Sequence, residues 1–325
     1  MKFRTPLAID TVDNKISLKD PLVTIGSCFA DNIGNKFLQN KFDVLANPYG
    51  VIFDPLSISR LLSYSLQGEE PAPDTYIEVN GVFKNFELHS SFIGLSKEEL
   101  HLKIKARIKS TGDFIKSAKW LIITCGTAHV YQYKKTGQFV ANCHKLPADN
   151  YTRALLSVAT ITDSMEVQLK SLRSINPQIN IILTVSPVRH TKDGLAANNL
   201  SKSILRVASH ELANHAEGIY YYPAYEILID DLRNYRFYKD DMIHPNDQAI
   251  AYTWEHFIQT YADKKTQSFL GKWEKINQAL HHRPFNPSHP NHQQFLKKLL
   301  DELLSIQAEV NVDKELKVVQ EQIVS

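Results

Sequence analysis

The 325-residue sequence predicts an α/β fold with a mostly parallel central sheet, and two features of its hydrophobic pattern indicate this. Short apolar runs alternate along the chain with longer amphipathic segments, which is the order of strands and helices in α/β proteins. The apolar runs are also continuous, so each strand should be covered on both faces, as in a parallel sheet. The hydrophobic content of 43% is enough to bury a sizeable core.

The first strand and helix of this pattern are "LVTIG", residues 22–26, and a segment of helical spacing at residues 29–39. The same order then returns further along the chain. Strands are predicted at residues 119–126, 180–187 and 218–223, and helices near residues 161–172 and 198–215.

Two hairpins are predicted among these units. Residues 74–89 contain Asn80-Gly81, the dipeptide best suited to a two-residue turn, between strand-like residues. A second hairpin is expected around residues 131–144. We interpret the region of about residues 55–115 as an insertion over one edge of the sheet, where the walls of substrate sites are often built.

The C-terminal part of the chain is predicted to be helical after His244. Residues 281–294 interrupt the pattern with prolines and histidines and are interpreted as a surface linker. Residues 295–310 form a strongly amphipathic helix that is expected to dock on its own domain. The predicted organisation is therefore a main domain at residues 1–280, followed by a linker and helical tail at 281–325.

Composition argues against several classes of protein. A net charge of +2 provides no broad field for nucleic acid or an acidic membrane. No run approaches the roughly 20 apolar residues of a membrane span, and residues 1–15 lack a signal-peptide core, so a cytoplasmic protein is expected. Three widely spaced cysteines form no disulfide framework, and we predict reduced thiols and no cofactor or metal.

Two potential nucleophiles, Ser27 and Cys28, stand side by side where the first strand meets the first helix. Backbone N–H groups and the dipole at a helix N-terminus lower the pKa of a thiol and can bind an oxyanion. The residues alone do not choose between the two side chains. Ser27 is also a suitable helix cap.

The stretch "DDMIHPND" places Asp241 three residues before His244. An aspartate at this spacing can curl back to accept the proton on one ring nitrogen, which leaves the other nitrogen free as a general base. The alternative interpretation is a turn that caps the following helix. Combined with the Ser27-Cys28 junction, the pattern favours a nucleophile with a distant base.

Several motifs together resemble the GSCFA family, a group related to the SGNH or GDSL hydrolases. The likeness covers most of the chain. The family-like motifs are "GSCFA" at 26–30, "NPYGVIFDP" at 47–55, "ELHSSF" at 87–92, "TCGTAHVY" at 124–131, "ANCHKLP" at 141–147, "SPVRHTKDG" at 186–194 and "YRFYKDDMIHP" at 235–245.

This resemblance implies a three-layer sandwich and an acyl-ester hydrolase or acyltransferase site. The first SGNH block reads G-D-S; laid on this sequence without a gap, Ser27 meets the aspartate and Cys28 the serine. Cys28 is therefore the implied nucleophile and Ser27 the second choice. The last block, D-x-x-H, matches at Asp241 and His244.

The implied oxyanion donors match less completely. Gly50 matches the glycine whose backbone N–H donates in the second block, but the third block, G-x-N, has Ala128 in place of asparagine. Losing one such donor typically costs about a hundredfold in rate. The missing donor could be replaced by Thr127, His129, Asn142 or His144, or else the oxyanion hole is weak.

Further polar residues are expected near the site because the ends of parallel strands face the ligand crevice. His89 follows the first hairpin, and Arg189 follows a strand, where it could hold a carboxylate or phosphate of a substrate or acyl carrier. Structural hydrogen bonds are the alternative interpretation for both residues.

The leading hypothesis is thus an enzyme acting on a small-molecule or glycan acyl ester, with an acyl thioester as a further donor. A non-catalytic module that binds a glycan or acylated ligand in the same pocket is the alternative, favoured by the missing asparagine. A metal site drawn from His89, His129, Cys143 and His144 is a weaker third hypothesis, because adjacent Cys143 and His144 are awkward for one tetrahedral ion.

Overall fold

The computed structural model describes residues 5–9 and 11–323. Residues 1–4 and 10 of the N-terminal segment, and 324–325 of the predicted tail, lie outside the described residues. The strands are β1 Leu22–Gly26, β2 Val44–Ala46, β3 Tyr76–Val79, β4 Val82–Asn85, β5 Trp120–Cys125, β6 His129–Tyr133, β7 Gln138–Val140, β8 Tyr151–Leu155, β9 Asn180–Val185 and β10 Ile219–Tyr222. The helices are α1 Cys28–Gln39, α2 Pro55–Gln67, α3 Lys97–Ser117, α4 Val158–Ile175, α5 Gly194–His215, α6 Ala224–Glu226, α7 Asp247–Tyr261, α8 Lys264–Leu280, α9 Pro290–Ile306 and α10 Asp313–Gln320.

Five strands form a fully parallel central sheet in the order β10-β9-β5-β1-β2. In β1, β5 and β9 almost every residue is buried, because helices cover both faces of the sheet. The predicted α/β fold with a parallel sheet is confirmed.

Two hydrophobic clusters, one on each face of the sheet, make the three layers. Alternate strand residues point to opposite faces, so Trp120 and Ile122 of β5 pack with α1 and α7–α10, whereas Leu121 and Ile123 pack with α2–α5. The predicted three-layer sandwich is therefore confirmed.

Smaller sheets lie outside the central one. The strands β3 and β4 form the predicted hairpin, and Asn80 and Gly81 at its turn both have positive φ. The second predicted hairpin, β6-β7, is extended by β8 into a three-stranded antiparallel sheet. Residues 55–115 also contain α2 and α3, and α2 packs against α3 and α4.

The C-terminal helices complete the first layer. Leu299, Leu303 and Ile306 of α9 are buried in the same cluster as Phe37 of α1, so the predicted amphipathic helix docks on its own domain. This helix begins at Pro290, inside the predicted linker, because Pro is well suited to a first helical turn. No helix among the described residues has the length and apolarity needed to cross a membrane.

Candidate active site

The junction between β1 and α1 is a sharp turn at the carboxyl edge of the sheet. Gly26 has a φ of +140°, and a Cβ at this position would lie 2.1 Å from the carbonyl oxygen of Thr124. Only glycine can therefore occupy the position. Ser27, which is buried, caps α1 by accepting a hydrogen bond from the backbone N–H of Phe29 at 3.3 Å.

Asn47 fixes this turn from the neighbouring β2 side. Its Oδ1 accepts the N–H of Gly26 at 2.9 Å, and its Nδ2 donates to the Gly26 carbonyl at 3.2 Å. The N–H of Ile52 also donates to the same carbonyl at 2.8 Å. The motif around residue 47 thus positions the junction.

Cys28 is the first residue of α1, and its side chain is half-buried. Burial raises the pKa of the Cys28 thiol above its usual value; a hydrogen bond from its own backbone N–H opposes this, and the nearby Asp31 adds to the increase. The expected lowering by the helix N-terminus is therefore outweighed. The thiol needs a base in order to react at neutral pH.

Asp241 and His244 form the arrangement predicted for an oriented base. The Asp241 Oδ2 lies 2.7 Å from the His244 Nδ1, and Oδ1 accepts the backbone N–H groups of Ile243 and His244 at 2.9 Å each. These bonds, led by the backbone N–H of His244, lower the pKa of Asp241 to about 2. The carboxylate stays ionised, holds the proton of His244 on Nδ1 and leaves Nε2 as the acceptor.

Arg189 supports the loop that carries this pair. Its backbone N–H donates to the Ile243 carbonyl at 3.2 Å, and its guanidinium lies 4.1 Å from the centre of the Tyr238 ring and 5.1 Å from that of Tyr235. Nη1 also approaches the Met242 carbonyl at 3.4 Å. The contacts of Arg189 are thus with the loop that carries His244 (the His244 loop), which fits the structural role considered as the alternative to binding a carboxylate or phosphate.

Cys28 and His244 lie at the same end of the first helical layer. The helices α1 and α7 run side by side in one direction: Asn32 and Asp247 line one cleft, and Gln39 and Ile258 line the next. Cys28 precedes Asn32 by about one turn, and the His244 loop directly precedes α7. Both residues are therefore at the carboxyl edge of the sheet.

The backbone N–H of Gly50, the predicted second oxyanion donor, is already hydrogen-bonded within the protein. This N–H donates to the Asn47 carbonyl at 2.8 Å within a tight turn. The next backbone N–H, that of Val51, has no acceptor in the described part of the chain. A donor from this turn would come from Val51, a residue that motif matching alone did not indicate.

The turn after β5 replaces the usual asparagine with buried Ala128. The Ala128 N–H donates to the Ser201 hydroxyl at 2.7 Å, and the Thr127 hydroxyl lies 3.1 Å from the same oxygen. The N–H of Thr127 donates to the Phe53 carbonyl at 3.2 Å. The polar groups of Thr127 are therefore used to hold the turn.

Beside this turn lies a cavity of about 330 Å³ that brings together several predicted site residues. Thr127, His129 and Asn142 line it, together with His190 and the ring of Phe53. Residues of β6 and β7 form one of its walls.

His144 and His89 are engaged elsewhere. His144 is buried, and its Nε2 lies 2.6 Å from the Asn85 carbonyl. The Nδ1 of His89 lies 2.9 Å from the Ser91 hydroxyl, and its Cβ packs against Gly50. Within residues 5–9 and 11–323, no group of three or more His, Cys, Asp or Glu side chains is arranged to hold a metal ion.

Sequence reasoning missed a buried polar row on α5, formed by Asn198, Ser201 and Lys202. Asn198 Oδ1 accepts the N–H of His190 at 2.8 Å. Lys202 is fully buried, and its Nζ donates to the carbonyls of Gly126 at 2.6 Å and Ser186 at 2.7 Å. The three residues are spaced at i, i+3 and i+4, which places them on one face of a helix. This spacing could have indicated from the sequence that they lie together.

Comparison with solved structures finds distant likenesses. A carbohydrate esterase family 3 protein from Talaromyces cellulolyticus is 8% identical, with 77% of this chain and 98% of that chain covered and a TM-score of 0.36. An acetyl xylan esterase from Butyrivibrio proteoclasticus is 13% identical, with 80% and 67% covered and a TM-score of 0.34. A family two carbohydrate esterase from Clostridium thermocellum is 12% identical, with 79% and 66% covered and a TM-score of 0.33.

Sequence comparison is more specific. No curated protein matches the sequence. The model of the GSCFA family matches residues 21–257, and that of the GSCFA domain protein C-terminal domain matches residues 273–325. The first match covers most of the chain, including the Cys28 junction and the Asp241–His244 pair, and the protein therefore belongs to the GSCFA family.

Proposed function

We propose that this protein is an SGNH-type acyl-ester hydrolase or acyltransferase, in which Cys28 is the nucleophile, His244 the general base and Asp241 the residue that orients it. The observation that carries the proposal is the 2.7 Å contact between Asp241 Oδ2 and His244 Nδ1. It supports an imidazole that is held through Nδ1 and has Nε2 free to act as the base, at the edge of the sheet where α1 begins.

In the proposed reaction, His244 Nε2 accepts the proton of the Cys28 thiol while Sγ attacks the acyl carbon. The tetrahedral intermediate collapses, and the leaving alkoxide takes the proton back from His244. The acyl group is then a thioester on Cys28. Water or an acceptor alcohol attacks this thioester with His244 again as base, which releases a carboxylic acid or a new ester.

The oxyanion would be stabilised by backbone N–H groups at the junction. As the first residue of α1, Cys28 has an N–H without an intrahelical acceptor. Val51 supplies a second free N–H in place of Gly50. The Nδ2 of Asn142 makes no hydrogen bond within residues 5–9 and 11–323. This group would replace the side-chain donor that is missing because position 128 is alanine.

The substrates that fit this site are small-molecule or glycan acyl esters, with acyl thioesters as further donors. A cysteine nucleophile suits both, because a thioester passes its acyl group readily to an alcohol. Hydrolysis and transfer share the same first half-reaction and differ only in the second acceptor.

The test is to trap the acyl-enzyme. After brief exposure to p-nitrophenyl acetate and acid quenching, peptide mapping by mass spectrometry should find one acetyl group on Cys28. The His244→Ala variant should lack it or form it much more slowly, and Ser27→Ala should retain it. Acetylation of Ser27 in the wild type would instead assign the serine as nucleophile, and no acetylation of either residue would contradict the proposal.

A second candidate function is a non-catalytic module that binds a glycan or acylated ligand. Two observations favour it: the buried methyl of Ala128 stands where a donor is expected, and burial raises the pKa of the Cys28 thiol. Thermal unfolding with acyl thioesters and acetylated sugars separates the two functions. A binding module should be stabilised by its ligand without consuming it.

A further inference from the structure

The nucleophile junction and the base come from opposite ends of the sequence and are not joined directly. Among the described residues, no hydrogen bond links residues 26–30 to the His244 loop, residues 235–246. The proposed reaction requires the His244 Nε2 to come within hydrogen-bonding distance of the Cys28 thiol. Another part of the fold must therefore set their relative position.

The His244 loop is closed by its own hydrogen bonds. The N–H of Lys239 donates to the His244 carbonyl at 2.8 Å, and the N–H of Asn246 donates to the Phe237 carbonyl at 2.9 Å. The contacts of Asp241 lie within the same loop. The orientation of the His244 ring by Asp241 is therefore a local property, whereas the placement of the whole loop against the nucleophile is not.

Arg189 ties this loop to the sheet. Among the described residues, every hydrogen bond between the loop and a segment distant in the sequence is made with Arg189, including those to the carbonyls of Ile243 at 3.2 Å and Met242 at 3.4 Å. Its guanidinium also lies 4.1 Å from the centre of the Tyr238 ring, which is a cation–π contact. Phe237 and Tyr238 pack in the hydrophobic cluster that includes α1. Because apolar packing is not directional, the contacts of Arg189 determine the position of the loop more sharply.

Arg189 is in turn held by the body of the fold. The N–H of Ser186 donates to the Cys125 carbonyl at 2.9 Å, where β5 and β9 end side by side. The N–H of His190 donates to Asn198 Oδ1 of α5 at 2.8 Å. Residues on both sides of Arg189 are thus fixed to the central sheet and to α5.

Lys202 connects this segment to the nucleophile junction. Its buried Nζ donates to the carbonyls of Ser186 at 2.7 Å and Gly126 at 2.6 Å. Gly126 packs beside Ser27, because a Cβ at Gly126 would lie 3.3 Å from the Ser27 Cβ. The segment of residues 186–190 therefore lies between the two halves of the proposed site and is linked to both.

We propose that Arg189 is a positioning residue, whose side chain places the His244 loop so that Nε2 reaches Cys28. Arg189 does not touch the substrate in this role; it acts through His244. Without its side chain, the pair of Asp241 and His244 keeps its local geometry but lies in the correct position for a smaller fraction of the time. The inference rests on the proposed function and adds a fourth residue to it.

The first measurement is the rate at which limiting iodoacetamide alkylates Cys28 at pH 7, followed by peptide mapping with mass spectrometry. This rate reports how well His244 draws the proton from the thiol, and His244→Ala should react more slowly than the wild type. Arg189→Met, which keeps the apolar stem without the guanidinium, should lose about tenfold in rate, the effect of one cation–π contact on the placement of the loop. Arg189→Lys keeps a positive charge beside Tyr238 and should recover part of this loss.

Turnover is measured with p-nitrophenyl acetate, an uncharged ester. Arg189→Met should lower kcat/KM for this ester by about the same factor. An arginine that only bound an anionic group of a substrate would leave this rate unchanged, so the uncharged ester separates the two roles. Arg206→Met is the matched control, because the Arg206 guanidinium lies 4.0 Å from the centre of the Tyr221 ring on β10. It should behave as the wild type.

A third measurement tests that the loop itself stays intact. With ¹⁵N-labelled histidine and NMR, the Nδ1 resonance of His244, assigned with His244→Ala, reports its protonation and its hydrogen bond to Asp241. This resonance should be the same in Arg189→Met and the wild type, which a variant with an unfolded loop would not show.

The outcomes separate the inference from the proposed function. If Cys28 of Arg189→Met reacts as fast as that of the wild type while His244→Ala is slow, the inference is wrong and the proposed function stands. The inference is also wrong if the loss of rate is accompanied by a changed His244 resonance, because the side chain would then maintain the fold of the loop. If His244→Ala itself reacts like the wild type, the proposed pairing of Cys28 with His244 fails, and the inference fails with it.

Discussion

Lys202 should make the stability of this protein depend on pH between about 7 and 10.5. The ammonium group is buried completely between the ends of β5 and β9, where its partners are two backbone carbonyls. Burial lowers the pKa of Lys202 from the usual 10.5 to about 7, and the nearby Cys125 only partly opposes this. The unfolded chain therefore binds this proton more tightly than the folded one.

The magnitude follows from the pKa difference. One pKa unit corresponds to about 1.4 kcal/mol, so the charged form of Lys202 costs the folded state about 5 kcal/mol at a pH below 7. Between pH 7 and 10.5 the unfolded state holds more protons, and the free energy of unfolding rises with pH. Integrated from pH 7 to pH 9, this increase is about 2 kcal/mol.

The assay is urea unfolding of the wild type and Lys202→Met at pH 7 and pH 9. Methionine keeps the apolar stem without a titratable group, and the cost of leaving two carbonyls unpaired is the same at both pH values. The free energy of unfolding of the wild type should therefore rise by about 2 kcal/mol relative to the variant over this interval. Lys272→Met, at an exposed lysine, should follow the wild type. Equal pH dependence in the wild type and Lys202→Met would refute the reasoning.

Four further predictions concern the site and the core. Cys28→Ala should abolish turnover of p-nitrophenyl acetate above the background rate, measured by release of p-nitrophenol. Asp241→Asn should lower kcat at least tenfold with little change in melting temperature, because the asparagine Oδ1 can still accept the backbone N–H groups of Ile243 and His244 but the carboxylate that orients the ring is lost. Gly26→Ala should prevent stable folding, read by circular dichroism, since its Cβ would overlap a backbone oxygen at 2.1 Å. Leu303→Ala, at a fully buried position, should cost about 2–5 kcal/mol in urea unfolding.

The central sheet was predictable where strands are long and apolar. β1, β5 and β9 are buried on both faces, and their sequences are continuous hydrophobic runs. The strands β2 and β8 were not predicted, because β2 has only three half-buried residues and β8 exposes four of its five. Short or exposed strands are determined by their partners more than by their own residues.

The helices α2 and α3 were not predicted either, although the sequence contains signals for them. Asp54 caps α2, Pro55 opens it and Gly68 ends it in the left-handed conformation, all of which are local signals that the sequence contains. Ser96 caps α3 in the same way. These caps and the terminal glycine are sufficient to predict the bounds of α2 and the start of α3 from the sequence.

Within the site, local motifs predicted the parts that depend on local geometry. The Ser27 cap and the contact between Asp241 and His244 both join residues within three positions of each other. The stacking of Arg189 on Tyr238 and the bonds of Lys202 join segments far apart in the chain. Such contacts depend on the tertiary fold. From one sequence, the only sign of them is a polar residue on the side of a helix that is expected to face inward.

The C-terminal helices also bear on how the chain acquires its fold during synthesis. The indole of Trp273 on α8 donates to the carbonyl of Gln39 at the end of α1, and Glu315 on α10 forms an ion pair with Lys41 just beyond it. The apolar face of α1 is not fully buried until α8, α9 and α10, residues 264–320, have been synthesised. A nascent chain would therefore carry an exposed hydrophobic surface on the helix that begins at Cys28. Exposed hydrophobic surface makes a partly folded chain prone to aggregation, so a chain that stops before α9 would keep that hazard.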